Sequence, residues 1–302
     1  MQAFAPGIFP RSDALVQATR DLDRGRTTQE AVDAQVASDR EALLTVQREA
    51  GFDLVADGML TWQDLFRPLL EAADGLEPGP LTRFLDTNTF YRAPHATTAS
   101  PTLSAPLDER VLPAVDGPRV MTLPAPFALA HGTGVTPQAM ADSVLKPVLD
   151  AVDADLVVLS EPFLGRIGPE RVQELAGPLE SLGGGPPVAL QLTFCDARVA
   201  LENGLAELPV EGIGVDFYLT HLTDLPQGID KLLLAGVVDA RSSTVEDADE
   251  LAGFAQRLQD EREVERLALV PNGDLQFVAQ SIAAEKMRRL GAATTATVPT
   301  PA

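Results

Sequence analysis

The stretch LLLAGVVD, residues 232–239, is a run of apolar residues that ends in a carboxylate. A short apolar run of this kind is typical of a strand that is buried on both faces of a parallel sheet. Four residues later, Ser243-x-x-Glu246 has the spacing of a capping box, which predicts that a helix begins there. A buried strand followed by a helix is the repeating unit of α/β folds.

The same unit recurs along most of the chain. The candidate strands are Gly7–Phe9, Phe52–Asp57, Val120–Leu123, Asp155–Ser160, Val188–Thr193, Ile213–Phe217, Leu232–Val238 and Leu267–Val270. Eight strands that alternate with helices in 302 residues predict an α/β fold, a single-domain (β/α)8 TIM barrel. Barrels of this kind carry their chemistry at the C-terminal ends of the strands, so we examine those positions first.

The predicted barrel covers residues 1–291 and is interrupted once. Residues 75–118 are rich in Pro, Thr and Asp, and we interpret them as an insertion after the second β/α unit. Phe84–Tyr91 is predicted to be a strand in this insertion, which we expect to form a hairpin over the barrel mouth. Residues 292–302 are rich in Thr, Pro and Ala and are predicted to be a disordered tail.

Charge and composition narrow the function classes. The formal net charge is −21, which disfavours nucleic acid and anionic membrane surfaces as partners. Cys195 is the only cysteine, so no disulfide forms within the chain. We find neither a signal peptide nor an apolar run long enough to span a membrane, and we predict a cytoplasmic protein with a small-molecule ligand at the barrel mouth.

The motifs at the strand ends resemble those of the catalytic domain of cobalamin-independent methionine synthases. The resemblance is greatest to the short, single-barrel members of that family and covers most of residues 5–291. It rests on the order and spacing of Gly7–Arg11, Gln47–Gly58 with Asp64, Ser160–Pro162, Gly236–Asp239 with Glu246, and Val270–Gly273. The resemblance implies a barrel and a methyltransferase that moves a methyl group from a folate or corrinoid donor to a thiol.

The zinc ligands that the resemblance implies are mostly replaced. Thr193 stands at the His position, Cys195 keeps one Cys position, Asp216 replaces a Glu, and Gly273 replaces the last Cys. Catalytic zinc normally has three protein ligands, so the remnant Cys195 and Asp216 predict that zinc is not bound and that no cofactor is needed. One alternative stays open, in which His221 joins Cys195 and Asp216 in a rebuilt metal site.

The amino-acid pocket that the resemblance implies has also changed. Ile8, Met59 and Ser160 stand where the family has Ser, Glu and Asp, and Arg241 stands where it has a His proposed as a proton donor. A buried ammonium group without a partner is costly, so we expect homocysteine to bind poorly.

Several side chains at the predicted mouth remain chemically capable. Glu161, Asp239 and Arg241 are our candidate catalytic residues, and the candidate substrate-binding residues are Arg11, Met59, Trp62, Ser160 and Asp216. Glu161 is either an acid/base or a structural hydrogen-bond acceptor, and Trp62 is either a wall for a flat ligand or a packing residue.

Two classes of function follow. The first is a methionine synthase-like methyltransferase with degraded zinc and homocysteine sites. The second is a zinc-free relative that binds a small molecule or a partner, or a metal-independent enzyme of the wider superfamily that includes the uroporphyrinogen decarboxylases. Fold alone does not decide between them.

Overall fold

The computed structural model describes residues 1–296, and its centre is a curled sheet of seven parallel strands. The strands of the chain are β1 (Gln2–Ala3), β2 (Ala73–Asp74), β3 (Leu76–Arg83), β4 (Phe90–Ala96), β5 (Thr102–Leu103), β6 (Val120–Pro124), β7 (Leu156–Glu161), β8 (Val188–Leu192), β9 (Gly212–Asp216), β10 (Leu232–Val238) and β11 (Leu267–Pro271). The central sheet has the order β1-β11-β10-β9-β8-β7-β6, in which neighbours along the chain are mostly neighbours in space.

The segment that was predicted as the second strand lies between the two edges of this sheet. Asp53 donates its backbone N–H to the carbonyl of Ala3 in β1 (3.1 Å). Two residues on, Val55 forms an isolated parallel bridge with Arg119, next to β6. The first predicted strand is displaced, because the sheet uses Gln2–Ala3 and Gly7–Phe9 forms the turn that follows.

Helices cover the sheet at most crossovers. They are α1 (Asp13–Asp23), α2 (Gln29–Ala50), α3 (Arg67–Ala72), α4 (Pro126–Ala130), α5 (Pro137–Met140), α6 (Lys146–Ala151), α7 (Leu164–Ile167), α8 (Ala176–Ser181), α9 (Arg198–Glu202), α10 (Ala248–Arg262) and α11 (Gln280–Thr295). A π-helical turn, Ala141–Leu145, joins α5 to α6, and the 3-10 segments are Pro169–Leu175, Leu222–Asp224 and Leu275–Phe277.

Two helix boundaries differ from the sequence prediction. Helix α10 begins after Asp247, whose carboxylate accepts the backbone N–H groups of Asp249 and Glu250, so the predicted box at Ser243 and Glu246 is not the cap. Helix α11 continues to Thr295, past the predicted start of the tail at residue 292, and residues 297–302 lie outside the described part of the chain.

The apolar core has two separate parts. A small cluster combines residues from most of the central strands with Leu54 and Ala56 of the 52–57 segment; its members are Phe4, Leu54, Ala56, Val120, Leu156, Val158, Ala189, Leu232, Leu234, Ala268 and Val270. The larger cluster fills the space between the sheet and the helices. No helix among residues 1–296 is long and apolar enough to cross a membrane.

The insertion forms an antiparallel hairpin from β3 and β4. Phe84–Tyr91 is therefore not one strand, because residues 84–89 form the turn between the two. The turn is closed by its own hydrogen bonds, from Phe84 N–H to the Thr89 carbonyl (2.8 Å) and from the Thr87 hydroxyl to the Phe84 carbonyl (2.7 Å). The aromatic side chains of the hairpin pack onto loops at the C-terminal ends of the strands.

Candidate functional site at the C-terminal ends of the strands

Glu161, at the end of β7, is fully buried. One carboxylate oxygen accepts the backbone N–H groups of Phe163 (3.0 Å) and Leu164 (2.9 Å), and the other accepts that of Ala128 (2.9 Å). Burial raises the pKa of Glu161 to about 7. The three N–H donors partly offset this rise, because they stabilise the ionised form. The geometry therefore favours the structural role that the sequence left open, because both oxygens hold neighbouring loops.

Asp216, at the end of β9, is only partly satisfied. Its Oδ1 accepts the Asn272 side-chain amide (3.2 Å) and the backbone N–H of Tyr218 (2.9 Å). Its Oδ2 is buried and has no hydrogen-bond partner. Burial raises the pKa of Asp216 to about 6, because the loss of hydration outweighs the effect of the two hydrogen-bond donors. The carboxylate therefore holds its proton in mildly acidic solution.

Cys195 is buried and packs closely against Gly165. A side-chain carbon added at Gly165 would lie 2.2 Å from the Cys195 sulfur, so the thiol packs directly against the backbone of α7. Burial, helped by the negative charges of Asp216 and Glu161, raises the pKa of Cys195 to about 12. Such a thiol is a small apolar core residue and a poor nucleophile.

Phe194 covers the position of the last implied zinc ligand. A side-chain carbon added at Gly273 would lie 2.3 Å from the Phe194 ring, well inside van der Waals contact. Phe194 has a φ of 55°, a conformation that is uncommon for a residue other than glycine, and this conformation accompanies the placement of its ring over Gly273. The sequence analysis did not single out Phe194.

The other two candidate positions, Thr193 and His221, differ in their exposure to solvent. The Thr193 hydroxyl is buried without a hydrogen-bond partner. His221 is exposed, and its backbone N–H donates to Asp224 (3.3 Å) at the start of a 3-10 turn. Within residues 1–296, no three His, Cys, Asp or Glu side chains are placed to share one metal ion.

Aromatic rings from four segments meet above the C-terminal ends of the strands. Phe84 from the hairpin turn stacks on Phe277 from the loop after β11 (5.7 Å between ring centres). Phe163, from the loop after β7, lies 6.4 Å from Phe84, and Phe194 meets Phe277 edge-on at 5.6 Å. We call these four residues the aromatic plug. It fills the region above the strand ends with apolar surface.

A cluster of charges lies on the rim beside the plug. Arg241 donates to both carboxylate oxygens of Asp86 in the hairpin turn (3.2 and 3.4 Å). Its guanidinium group also lies 4.6 Å from the centre of the Phe194 ring, within cation–π range. Asp239 accepts the backbone N–H of Arg241 (3.0 Å), so these two candidate catalytic residues are neighbours.

A buried ion pair behind this cluster was missed by the sequence analysis. Lys286 on α11 has a fully buried side chain that donates to both carboxylate oxygens of Glu246 (2.9 and 2.8 Å). Glu246 also accepts the Tyr218 hydroxyl (2.8 Å) and the Asp239 backbone N–H (2.9 Å). Glu246 was interpreted as a helix cap, whereas it joins β9, β10 and α11. The sequence signal for this ion pair was Lys286 on the apolar face of a helix, because a lysine is almost never fully buried without a partner.

The remaining candidate residues surround a second part of the rim. Arg11, Trp62 and Gln276 line a cavity of about 650 Å³ between the β1 turn, the hairpin and the start of α11. Burial lowers the pKa of Arg11. The Trp62 indole N–H donates to the Val111 carbonyl (2.8 Å), which joins the segment after Gly58 to the last part of residues 75–118 and agrees with a packing role. Met59 and Ser160 are both buried, Met59 in the turn after Gly58 and Ser160 in the last part of β7.

The comparisons with known proteins fit this architecture. No protein-family model matches the chain. It is 29% identical over 223 residues to 5-methyltetrahydropteroyltriglutamate–homocysteine methyltransferase of Halalkalibacterium halodurans, a match that covers 66% of this chain and 29% of that protein. The resemblance to cobalamin-independent methionine synthases is confirmed. The chain spans less than a third of the length of this curated relative.

Solved structures of this methionine synthase-like fold match over nearly the whole chain. A B12-independent methionine synthase from Shewanella sp. W3-18-1, in complex with selenomethionine, superimposes with a TM-score of 0.72 at 16% identity and covers 97% of this chain and 96% of that one. A putative B12-independent methionine synthase from Listeria monocytogenes gives a TM-score of 0.70 at 13% identity, with 98% and 97% covered. At these identities the structures establish the shared fold.

Proposed function

We propose that this chain is a methionine synthase-like (β/α)8 barrel that works without zinc, binds an anionic small molecule at the rim of its mouth, and does not methylate homocysteine. The observation that carries the proposal is the Phe194 ring over Gly273, which leaves no room for a ligand side chain at that position.

Closure of the barrel is part of this proposal. The 52–57 segment hydrogen-bonds to both edges of the seven-stranded sheet, and it contributes Leu54 and Ala56 to the small inner core. These contacts support its role as the eighth strand, with the barrel in residues 1–291. The contacts of Phe84 and Asp86 with strand-end loops support the insertion of residues 75–118 as a cover at the mouth.

The donor set does not fit a zinc ion. Zinc takes thiolate, imidazole or carboxylate ligands in a tetrahedral arrangement. Here Cys195 is packed against Gly165 with a raised pKa, Gly273 is covered by Phe194, and one oxygen of Asp216 is bonded to Asn272. We derive no step that passes through a metal.

The polar contacts that would hold an amino acid are also missing. Ile8 and Met59 are buried apolar side chains, and Met59 occupies a turn with a φ of 49° that Asp57 closes by accepting its backbone N–H. An ammonium or carboxylate group placed among these residues would lose hydration without a partner, at a cost of roughly 1–3 kcal/mol for each unpaired polar group and more for a charge.

Arg11 supports binding of an anion instead. It is partly buried in a cavity large enough for a small metabolite, with Gln276 as a further polar group on the wall. Guanidinium groups favour carboxylates and phosphates because their N–H donors match those oxygens in pairs. We infer that the ligand carries a carboxylate or phosphate, which fits the role of Arg11 as a substrate-binding residue.

Two measurements test the proposal. Elemental analysis of protein purified in zinc-containing buffer is expected to give far less than one zinc per chain. Methionine formation from homocysteine, with a methyl-folate or with methylcobalamin, is expected to stay near background. One zinc per chain that Cys195→Ala removes, or turnover like that of an authentic synthase, would refute the proposal.

The second candidate function is methyl transfer to a different thiol. The sequence similarity to 5-methyltetrahydropteroyltriglutamate–homocysteine methyltransferase supports this second function. The raised pKa of Cys195 and the Phe194 ring over Gly273 oppose activation of a thiol by a metal. A screen of small thiols with methyl-folate would distinguish the two, because methylation of any of them that Asp239→Asn or Arg241→Gln abolishes would favour the enzyme.

A further inference from the structure

The hairpin turn presents one carboxylate to the rim. Arg83 stiffens the turn by donating to the carbonyl of Thr87 (2.5 Å) and to the side chain of Asn88 (3.3 Å). Leu85, at a φ of 51°, reverses the chain just before Asp86. The turn therefore holds the Asp86 side chain in one direction, towards the loops after β7 and β10.

Two arginines converge on this carboxylate, and both are positioned by other contacts. Arg166 donates twice to the Phe194 carbonyl (3.1 and 2.9 Å) and lies 3.6 Å from an Asp86 oxygen. Arg241 rests on the Phe194 ring and donates to both oxygens of Asp86. Phe194 therefore contacts both guanidinium groups independently of Asp86.

The charges and the space at this point suit an exchangeable anion. The charge of Asp216 also acts on Arg241. Without Asp86, Arg166 would lose its one ion-pair partner among residues 1–296, and Arg241 would lose the closer of its two carboxylates and keep Asp239 at 3.9 Å. A cavity of about 470 Å³, lined by Asp86, Arg241, Gln276 and Phe277 among others, opens beside the pair. The Asp86 side chain is 64% exposed, and an ion pair with that exposure contributes at most about 1 kcal/mol, so it is readily exchanged.

We propose that Arg166 and Arg241 form a carboxylate-binding site and that Asp86 is its built-in competitor. A small molecule with a carboxylate takes the place of Asp86, extends into the adjoining cavity, and releases the hairpin turn from the rim. This inference deepens the proposed binding of anions, but it rests on residues other than Arg11.

The test uses glutarate as the probe, in the full chain at constant ionic strength. Calorimetry is expected to show that Asp86→Asn binds glutarate about fivefold more tightly than the unmodified protein, because the competing ion pair is gone. Glu77→Gln, which removes a charge elsewhere on the same hairpin, is the matched control and should bind like the unmodified protein. Adding Arg241→Gln to Asp86→Asn should abolish binding.

Hydrogen exchange supplies a second readout. Saturating glutarate should speed amide exchange in the hairpin peptide, residues 76–96, of the unmodified protein, because its turn is released. Failure of Asp86→Asn to tighten binding, unchanged exchange in the bound state, or equally tight binding of chloride would overturn the inference. Arg11→Gln should leave glutarate binding at this site intact, so failure of the Arg11 proposal and failure of this one are distinguishable.

Discussion

At the C-terminal ends of the strands, the centre and the rim use their charged residues in opposite ways. In the centre, Glu161 and Asp216 are buried and accept hydrogen bonds from backbone or side-chain amide groups. On the rim, Arg11 and Arg241 line cavities of about 650 and 470 Å³. The difference teaches that a carboxylate at a strand end is not by itself a catalytic group. The ligand contacts that we propose for this chain lie on the rim.

The largest effect is expected from Glu161→Ala. Three backbone N–H groups would lose their acceptor in the core, so we expect a loss of about 4 kcal/mol in the free energy of unfolding. Glu161→Gln keeps one carbonyl acceptor and should cost roughly half as much. Urea denaturation of both variants measures this, and a loss below about 1 kcal/mol for Glu161→Ala would place this carboxylate with the rim residues instead.

The second effect concerns Phe194 and Gly273. Gly273→Ala forces a methyl group into the Phe194 ring, so we expect a loss of about 2 kcal/mol in the free energy of unfolding. In a Phe194→Leu background the same substitution should cost much less, and a double-mutant cycle measures the difference. Additive costs would contradict the close contact on which the zinc-free proposal rests.

A gain of function sharpens the same point. Thr193→His with Gly273→Cys is expected to bind no zinc while Phe194 is present, and to bind some once Phe194→Leu makes room. Zinc retained by the first pair of substitutions alone would show that Phe194 does not block the site.

The sequence predicted best those parts of the fold that depend only on the local pattern of apolar and polar residues. Strand positions followed from apolar runs, which need only local pattern, and β6 to β11 fall within a few residues of the prediction. The first strand was predicted at Gly7–Phe9, inside the Gly7–Arg11 motif, whereas the sheet uses the short segment Gln2–Ala3. A hairpin in the insertion was predicted from the sequence. The predicted strand at Phe84–Tyr91, however, is mostly the turn of that hairpin.

The site was harder to predict, because side-chain direction is a property of tertiary structure. The positions of Glu161 and Asp239 at strand ends followed from the sequence, whereas the enclosure of Glu161 by three amide donors did not. Glu246 matched a capping motif and instead pairs with Lys286, forty residues away in the chain. The spacing of residues within a short motif does not predict a contact with a residue forty positions away.

A smaller effect, which depends on pH, is expected at Asp216. Its pKa in the folded protein is about 6, above the ordinary value of 3.8, so the folded state holds a proton that the unfolded chain releases. The stability that this proton contributes is complete below about pH 4 and is lost as the pH rises through 6. Asp216→Asn keeps the acceptor for Asn272 without the buried charge. It should therefore be more stable than the unmodified protein by about 1–2 kcal/mol at pH 8 and no more stable at pH 4.

Thermal unfolding across this pH range measures the effect. Asp196→Asn, which removes an exposed carboxylate on the loop after β8, is the control and should follow the unmodified protein at every pH. A constant difference between Asp216→Asn and the unmodified protein from pH 4 to 8 would mean that the Asp216 carboxylate is already well solvated, as a rim residue would be.

The smallest effect on stability is expected from Arg11→Gln on the rim. Burial disfavours the charged form of Arg11, so its removal should change the free energy of unfolding by less than about 0.5 kcal/mol or raise it slightly. The same change should remove anion binding in the adjoining cavity. Trp62 is the only tryptophan and lines that cavity, so its fluorescence during titration with inorganic phosphate reports on the site directly. A response in the unmodified protein that Arg11→Gln abolishes without loss of stability would mark Arg11 as a binding residue rather than a structural one. An equal response in both proteins, or a large loss of stability, would place Arg11 with the buried centre and remove the contrast between the two regions.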